Sequence, residues 1–332
     1  MYSKSKYRIT PDLLSALAKR AFGAGTRIDR FEELHGGYFN AAYRLVLNQG
    51  AVDTVLKISP PDDIKTLSYE RGLMRTEVQV LKLLAQVQGI QVARLFHADF
   101  ERDLIPCDWF FAATIPGQTW NLVRDTLPPE QNHSIERSLG RVQALINAQV
   151  GEGFGLFPAS GRRRFSTWRD AFLDMMEMLL ADADKYQAQL PMPLGRIRDL
   201  VVSKAVVLEE VPKPRLVYWD LWAGNIMVAE KDGQWDLTGI IDSDRALWGD
   251  PLMESIFGWE NIPESFYQGY GQVPWTHGEQ VRRLLYNVYL FTIMVVEDIP
   301  REYEDHSLTQ WSYGRLKASL ELLEKSALER AE

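Results

Sequence analysis

The chain carries a single cysteine, Cys107, among 332 residues. That excludes an intrachain disulfide and a cysteine-rich metal site, and it fits a reducing cytoplasm as the expected compartment. Long apolar runs are also missing. Nowhere do about 18 uncharged apolar residues follow one another, so no membrane-spanning helix is expected. The opening MYSKSKYRITPDLLSALAKRAFG is polar before an amphipathic stretch and lacks the apolar centre of a signal peptide. Positive charge is outnumbered: 37 lysines and arginines stand against 45 aspartates and glutamates, the net charge is -8, and the one dense basic run is Arg162-Arg163-Arg164. A duplex-binding protein needs a basic face, so nucleic acid is not expected as the main partner. An acidic chain suits cationic small molecules, but acidity also serves solubility, and composition does not separate the two. Repeats and low-complexity segments are absent. The remainder, 46% hydrophobic and 25% charged, is that of an ordinary globular protein, long enough for two domains or one bilobal unit.

Hydrophobic periodicity divides the chain. Thr10 is placed to cap a helix over residues 11–22 that begins with Pro11. Three strand patterns follow, RIDRFEEL, AAYRLVL and DTVLKIS, separated by the turn-rich HGGYFN and NQGAV. The spacing then predicts a long helix from about Thr66 to Val87, with Leu73, Val80, Leu81 and Leu84 on its apolar stripe. Two further strands fit ARLFHADF and DWFFAATI. Pro116-Gly117 breaks the pattern, and helices are expected near 131–149, 166–186, 193–210, 277–296 and 308–329. Strands flank the polar insert in LVYWDLWAGNIMV, and another fits WDLTGIID. The expected fold is α+β and bilobal. Residues 1–115 form a small antiparallel sheet with one major helix, and residues 116–332 a larger, mostly helical lobe. Such a pair suits a ligand held in the cleft between them.

Asp220 and Asn225 lie in the insert, and Asp242 ends the strand LTGIID. Neighbouring strands would deliver all three to one sheet edge. Two carboxylates and an amide oxygen with no histidine or cysteine beside them are hard oxygen ligands, suited to Mg²⁺ held with phosphate oxygens and unsuited to Zn²⁺. An unpaired aspartate there can accept a proton from a hydroxyl.

YWDLWAGN followed by IDSDRALWGDP resembles the catalytic core of the aminoglycoside phosphotransferase and choline kinase-like family, small-molecule relatives of protein kinases. That family's pattern is His-x-Asp-x₄-Asn, then Ile-Asp, often followed by Gly-Asp-Pro. The resemblance implies a protein-kinase-like fold with ATP or GTP as phosphoryl donor. It gives Asp220 the acceptor hydroxyl and Asn225 and Asp242 the Mg²⁺, with Asp244, an acid, as a fourth residue. HGGYFNAAYRL resembles the family's loop over the nucleotide phosphates, where Gly36 and Gly37 allow close backbone approach. Lys57 in TVLKIS stands where the template's lysine meets the α- and β-phosphates, and Glu77 stands to pair with it. FFAATIPGQTW resembles the interlobe connection, so backbone groups of residues 112–115, Ala113 and Ile115 among them, would meet the base. The resemblance spans roughly residues 28 to 260 in the family's order. Singly, each element has an ordinary explanation: a hairpin turn at Gly36-Gly37, a solvated strand edge at Lys57, a surface charge at Glu77. Their order in one chain gives them meaning.

Tyr218 and Trp219 replace the usual His-Gly. The template's histidine braces the metal-binding segment, and an aromatic able to donate one hydrogen bond can replace it. Activity is therefore expected, with a catalytically silent kinase-fold nucleotide-binding module as the alternative. Asp250 follows Asp242 by only eight residues, too few for a protein kinase's activation segment, so a small-molecule hydroxyl acceptor is expected. Glu254, Glu260, Glu264 and the run from Glu297 to Asp305 read either as a site for a cationic, amine-bearing acceptor or as solvated surface. Trp222, Trp248 and Trp259 read either as platforms for a sugar or quaternary amine or as packing. Arg162-Arg163-Arg164 reads as a substrate-meeting loop or as surface, and Asp250 as a brace for the catalytic loop or a helix cap.

Overall fold

A computed structural model of the chain describes residues 6–35, 39–157, 163–258, 262–271 and 275–326. Helix α1, Pro11–Phe22, starts where Thr10 Oγ accepts the Leu13 N–H at 3.4 Å and stops at Gly23. Then come β1 (Ile28–Glu33), β2 (Ala41–Leu47), β3 (Val52–Ile58), α2 (Leu73–Leu84), β4 (Leu95–Asp99) and β5 (Trp109–Ala113). The strands make one antiparallel sheet in the order β1-β2-β3-β5-β4. Every second residue of β2 is buried, the period of a pleated strand. Ala41, Tyr43, Leu45 and Leu47 of β2 join the cluster that holds Leu14, Leu17 and Ala18 of α1. Met74, Val78 and Leu81 of α2 join Phe110 and Ala112 of β5 in a separate cluster. Each leucine, valine, methionine or phenylalanine among them contributes about 1.5–3 kcal/mol on burial.

Helix α2 is shorter than the periodicity predicts. Gly72, at φ 79°, takes the left-handed conformation that stops a helix from running through it. The preceding residues form a single 3₁₀ turn over Ser68–Glu70. Polar side chains hold that turn: Glu70 accepts the Leu67 N–H at 2.8 Å, and Asp182 accepts both the Ser68 N–H and its hydroxyl. Short polar side chains that bind backbone in this way compete with helix extension.

The remainder contains β6 (Gln118–Thr119), α3 (Pro129–Asn147), β7 (Gly155–Leu156), α4 (Trp168–Lys185), α5 (Leu194–Lys204), β8 (Arg215–Val217), β9 (Ile226–Lys231), β10 (Gln234–Ile240), β11 (Leu247–Gly249), α6 (Glu264–Tyr270), α7 (His277–Val296), α8 (Asp298–Arg301) and α9 (Ser307–Lys325). The helix expected over 193–210 ends at Lys204 and continues as 3₁₀ turns to Glu210. Two small sheets, β10-β9-β6 and β7-β11-β8, sit among the helices. Gly117 has φ 107°, and a Cβ there would lie 2.1 Å from the Val228 carbonyl oxygen. Only glycine lets the chain leave β5 so close to β9. The core of the helical part is aromatic: Trp168, Phe172, Tyr286 and Tyr289 are buried in edge and tilted contacts. Leu67 and Tyr69 belong to this larger cluster, so the entry to α2 is packed on the helical lobe. The architecture is the expected α+β, bilobal one.

Candidate active site

Strand β8 runs into Tyr218, Trp219 and Asp220, and a 3₁₀ turn over Ala223–Asn225 returns the chain into β9. The Asn225 amide donates to the Asp220 carbonyl oxygen at 2.8 Å and closes the loop, which leaves its Oδ1 free of that bond. Strand β10 pairs with β9 from Ile240 opposite Ile226, and the Ile241 N–H donates to the Asn225 carbonyl at 3.0 Å. That ladder carries Asp242 to the edge where Asn225 and Asp220 sit. Trp219 and Asp242 both have positive φ, 71° and 68°. L-residues are strained there, and such strain gathers at functional sites.

Lys57 on β3 joins the two lobes. Its Nζ donates to both oxygens of Glu77 on α2, at 2.8 and 2.7 Å, and to Asp242 Oδ1 at 2.7 Å. Burial alone would lower the ammonium's pKa, but the charges of Asp242, Glu77 and Asp244 outweigh it and raise it. Burial pulls the Asp242 carboxyl upward, and the Lys57 charge and hydrogen bond bring it below its ordinary value. Glu77 is raised by burial, with Lys57 opposing. Asp244 is pushed well above its ordinary value, by burial first and then by the charge of Asp242. It also accepts from the Asn40 amide at 3.3 Å, and the Oδ1 of that buried asparagine has no partner. Carboxylate oxygens of Glu77, Asp242 and Asp244 all lie within 4.8 Å of one another. With both Glu77 oxygens on Lys57, Asp242 and Asp244 remain as carboxylates for a divalent ion, and Asn225, on the adjoining loop, is the amide oxygen that could join them. The set is all oxygen, which fits Mg²⁺.

Asp220 is half-buried. Burial raises its carboxyl pKa, the charge of Arg245 lowers it, and Asp242 and Glu297 raise it further. Gly36 and Gly37 lie outside the described residues, as do Arg162, Trp259 and Glu260. Ala113 ends β5 and gives its N–H to the Arg94 carbonyl at 2.8 Å. The Ile115 side chain packs on Gly239. So the structure brings Lys57, Glu77 and Asp242 into direct contact and sets Asn225 and Asp220 on the adjoining loop.

Glu254 differs from the sequence reading, which set it among acidic residues near the acceptor. It is 1% exposed. Its Oε1 accepts the Tyr218 N–H at 2.7 Å, the Gln143 amide at 2.6 Å and the Asn147 amide at 3.0 Å, and its Oε2 accepts the Trp219 N–H at 2.7 Å. It fixes the backbone that delivers Asp220, and burial pushes its pKa up to about 7 against those four donors. The run from Glu297 to Asp305 is no uniform solvated face either. Glu297 and Asp298 are buried, Glu297 paired with Arg245 and Arg301 and Asp298 with His306. Asp250 accepts the Leu252 N–H, the Arg282 Nε–H and the Tyr286 hydroxyl, so it caps the following turn and anchors it to α7. Trp248 is packing, stacked on Phe157. Trp222 is 49% exposed, with its ring against Gly224.

Tyr218 is fully enclosed. Burial and the charges of Glu77 and Asp242 raise its phenol well above the usual value, and Ser243, beside Asp242, acts in the opposite direction. The phenol thus keeps its proton and lies beside the Asp242 segment. Sequence reasoning missed Arg245 and Asn40. The only signal for either was position, Arg245 three residues after Asp242 and Asn40 three after Gly37.

Residues 30–282 match the phosphotransferase enzyme family. A probable ketoamine kinase from Synechocystis sp. is 33% identical over 133 residues, a stretch covering 37% of this chain and 40% of that relative. Among solved structures, a putative aminoglycoside phosphotransferase from Ralstonia eutropha superposes with a TM-score of 0.65 at 13% identity, covering 97% of this chain and all (100%) of that one. A thermostable mutant of aminoglycoside phosphotransferase APH(4)-Ia, solved with AMP-PNP and hygromycin B, gives 0.62 at 17% identity, over 95% of this chain and 99% of that one. The streptomycin–ATP complex of APH(2")-IIa gives 0.59 at 14% identity, over 93% and 96%. At these identities the structural matches establish the fold.

Proposed function

The chain belongs to the phosphotransferase enzyme family, and from that membership we propose that it is a small-molecule kinase, moving the γ-phosphoryl group of ATP or GTP to a hydroxyl of a small-molecule acceptor. The observation that carries the reading is Lys57 Nζ held between Glu77 and Asp242 at 2.7–2.8 Å. All three of its donors are engaged, so it meets nucleotide phosphates by exchanging one of these bonds, with the ammonium already positioned by the two carboxylates. Residues 1–115 then serve as the nucleotide lobe, with Gly36 and Gly37 over the phosphates and Ala113 and Ile115 at the base. Residues 116–332 carry the catalytic loop and the acceptor site.

In this reading Asp220 orients the acceptor hydroxyl and receives its proton. Burial raises its pKa, which brings the carboxylate closer to the basicity such a transfer needs. Asp242, with Asn225 and Asp244, would hold Mg²⁺, which supplies charge neutralisation of the phosphate oxygens when bound. Glu254 and Tyr218 keep the loop and the Asp242 segment in register. The nucleotide and aminoglycoside complexes of the fold relatives support a nucleotide donor and a small-molecule acceptor. No helix among the described residues is long and apolar enough to cross a membrane, which agrees with a cytoplasmic site of action.

The test is nucleotide consumption from Mg-ATP and Mg-GTP across a panel of hydroxylated small molecules, with Asp220→Ala as control. Turnover with at least one acceptor, lost in the variant, supports the kinase. Tight nucleotide binding without turnover on any acceptor supports the silent nucleotide-binding module, the reading that the Tyr218-Trp219 departure favours.

A further inference from the structure

Beside Asp220 lies a group of hydrogen-bond donors with few acceptors: the Tyr69 ring meets that of Trp219, the residue before Asp220, with centroids 6.3 Å apart. Arg245 exerts the leading charge effect on Asp220. Its side chain is 20% exposed, and its one protein hydrogen bond among the described residues is a long contact to Glu297, 3.4 Å from Nη2. Nε and Nη1 have no hydrogen-bond acceptor among the described residues. Its guanidinium lies 5.8 Å over the ring of Tyr69. The Tyr69 hydroxyl is buried and has no partner. Arg301, in electrostatic contact with both, also has a buried Nε–H without a partner. The acidic residues nearby are already engaged: Glu297 is shared by Arg245 and by Arg301 at 3.2 Å, and Glu70 is paired with Arg301.

A guanidinium donates and never accepts. A group of open arginine and phenol donors, with neighbouring carboxylates neutralised, is chemistry for an anion. The carboxylate left beside this group is that of Asp220 itself. Building on the kinase reading, we propose that the acceptor carries an anionic group, a carboxylate or a phosphate monoester, near the hydroxyl that is phosphorylated. Arg245 binds that group, and the Tyr69 hydroxyl completes its shell. The specificity-determining residue is then Arg245, and the acceptor is a hydroxy acid or a phosphorylated sugar.

The experiment pairs binding with turnover. Glycerate, gluconate and glucose 6-phosphate, their neutral counterparts glycerol and glucose, and the amine-bearing glucosamine are titrated against the full chain with Mg-AMP-PNP. The same compounds are then offered with Mg-ATP. The expected result is binding and phosphorylation of anionic compounds in preference to the others, and the carboxylate and phosphate arms show which anion is used. Arg245→Gln should lower the anionic-to-neutral ratio of kcat/KM by about 10- to 100-fold, the range for loss of a charge-assisted hydrogen bond, and Arg245→Lys should restore part of it. Both readouts come from soluble, folded protein, checked by melting temperature. Phosphorylation of glucosamine or glycerol with no anionic compound bound overturns the inference and leaves the kinase reading standing. Anionic binding that is lost in Arg245→Gln, with no phosphorylation of any compound, supports the anion site and counts against the kinase. An equal loss on every acceptor in Arg245→Gln overturns the specificity role, as does the absence of any anionic binder.

Discussion

The indole of Trp219 is stacked on the ring of Tyr289 in α7, with centroids 5.6 Å apart and planes at 21°. Its backbone sits at φ 71°, and its N–H is held by Glu254. A strained residue immediately before Asp220 is thus fixed by its ring and by its amide together.

Substitution at Trp219 separates strain from packing. Left-handed backbone costs an L-residue about 1–2 kcal/mol, and losing a buried tryptophan costs about 3–5 kcal/mol. Trp219→Ala keeps the strain and loses the stack, whereas Trp219→Gly loses the stack and relieves the strain. Trp219→Gly is expected to be the more stable of the two by about 1 kcal/mol in urea unfolding. The opposite order would show that the backbone here is not strained.

Two aspartates should fail differently. Asp220→Asn removes the proton acceptor and is expected to lower kcat by about 10²-fold or more, the usual scale of general-base loss, with nucleotide affinity nearly unchanged. Asp242→Asn removes a Lys57 partner and a metal-facing oxygen, so Mg-nucleotide affinity itself should fall. Isothermal titration with Mg-AMP-PNP beside steady-state kinetics reads both. Equal loss of nucleotide affinity in the two variants would contradict this division.

Glu254 sets a pH dependence whose sign is fixed. Its folded pKa, about 7, lies above the ordinary 4.5. Between those values the folded protein holds a proton that the unfolded chain releases. This group's contribution to stability is therefore complete below about pH 4.5, declines as pH rises to about 7, and is constant beyond. Glu254→Gln cannot titrate, so its melting temperature measured from pH 5 to 7 should lack that component of the decline. The variant should also be less stable at pH 5 by about 1–3 kcal/mol, because its amide cannot accept from all four donors. Parallel melting curves for the two proteins across that range would rule out titration at Glu254.

Gly117→Ala would set a methyl 2.1 Å from the Val228 carbonyl oxygen in a conformation that L-residues avoid. A loss of about 2–3 kcal/mol is expected, seen as a lower midpoint in thermal unfolding. A midpoint within error of the parent would mean that β6 can shift away from β9.

The sheet, its order along the chain and the main helices were legible because they are periodic. Alternation in AAYRLVL and the stripe of α3, α4 and α7 are written in apolar spacing. The start of α2 was not, since Gly72 and the Ser68–Asp182 contact act through conformation and through a residue 114 positions away. Strands β7 and β11, of two and three residues, are too short to show a period. For the proposed site, motif and order are what single out Lys57, Glu77, Asp220, Asn225 and Asp242. Glu254 was misplaced because a glutamate's sequence neighbours do not reveal that four N–H groups will converge on it. Arg245 escaped because nothing local distinguishes an arginine with open donors from a solvated one.

The entry to α2 has a mechanical consequence. Ser68 is bound to Asp182 of α4, the Thr66 carbonyl to the Tyr186 hydroxyl, and Glu70 to Arg301 of α8. The helix that carries Glu77 is therefore tethered to the larger half of the molecule, while Lys57 rides on the sheet. Because α2 also packs on β5 of that sheet, any motion between the halves loads three joints together: the α2 tethers, the α2–sheet packing and the Lys57–Asp242 bond.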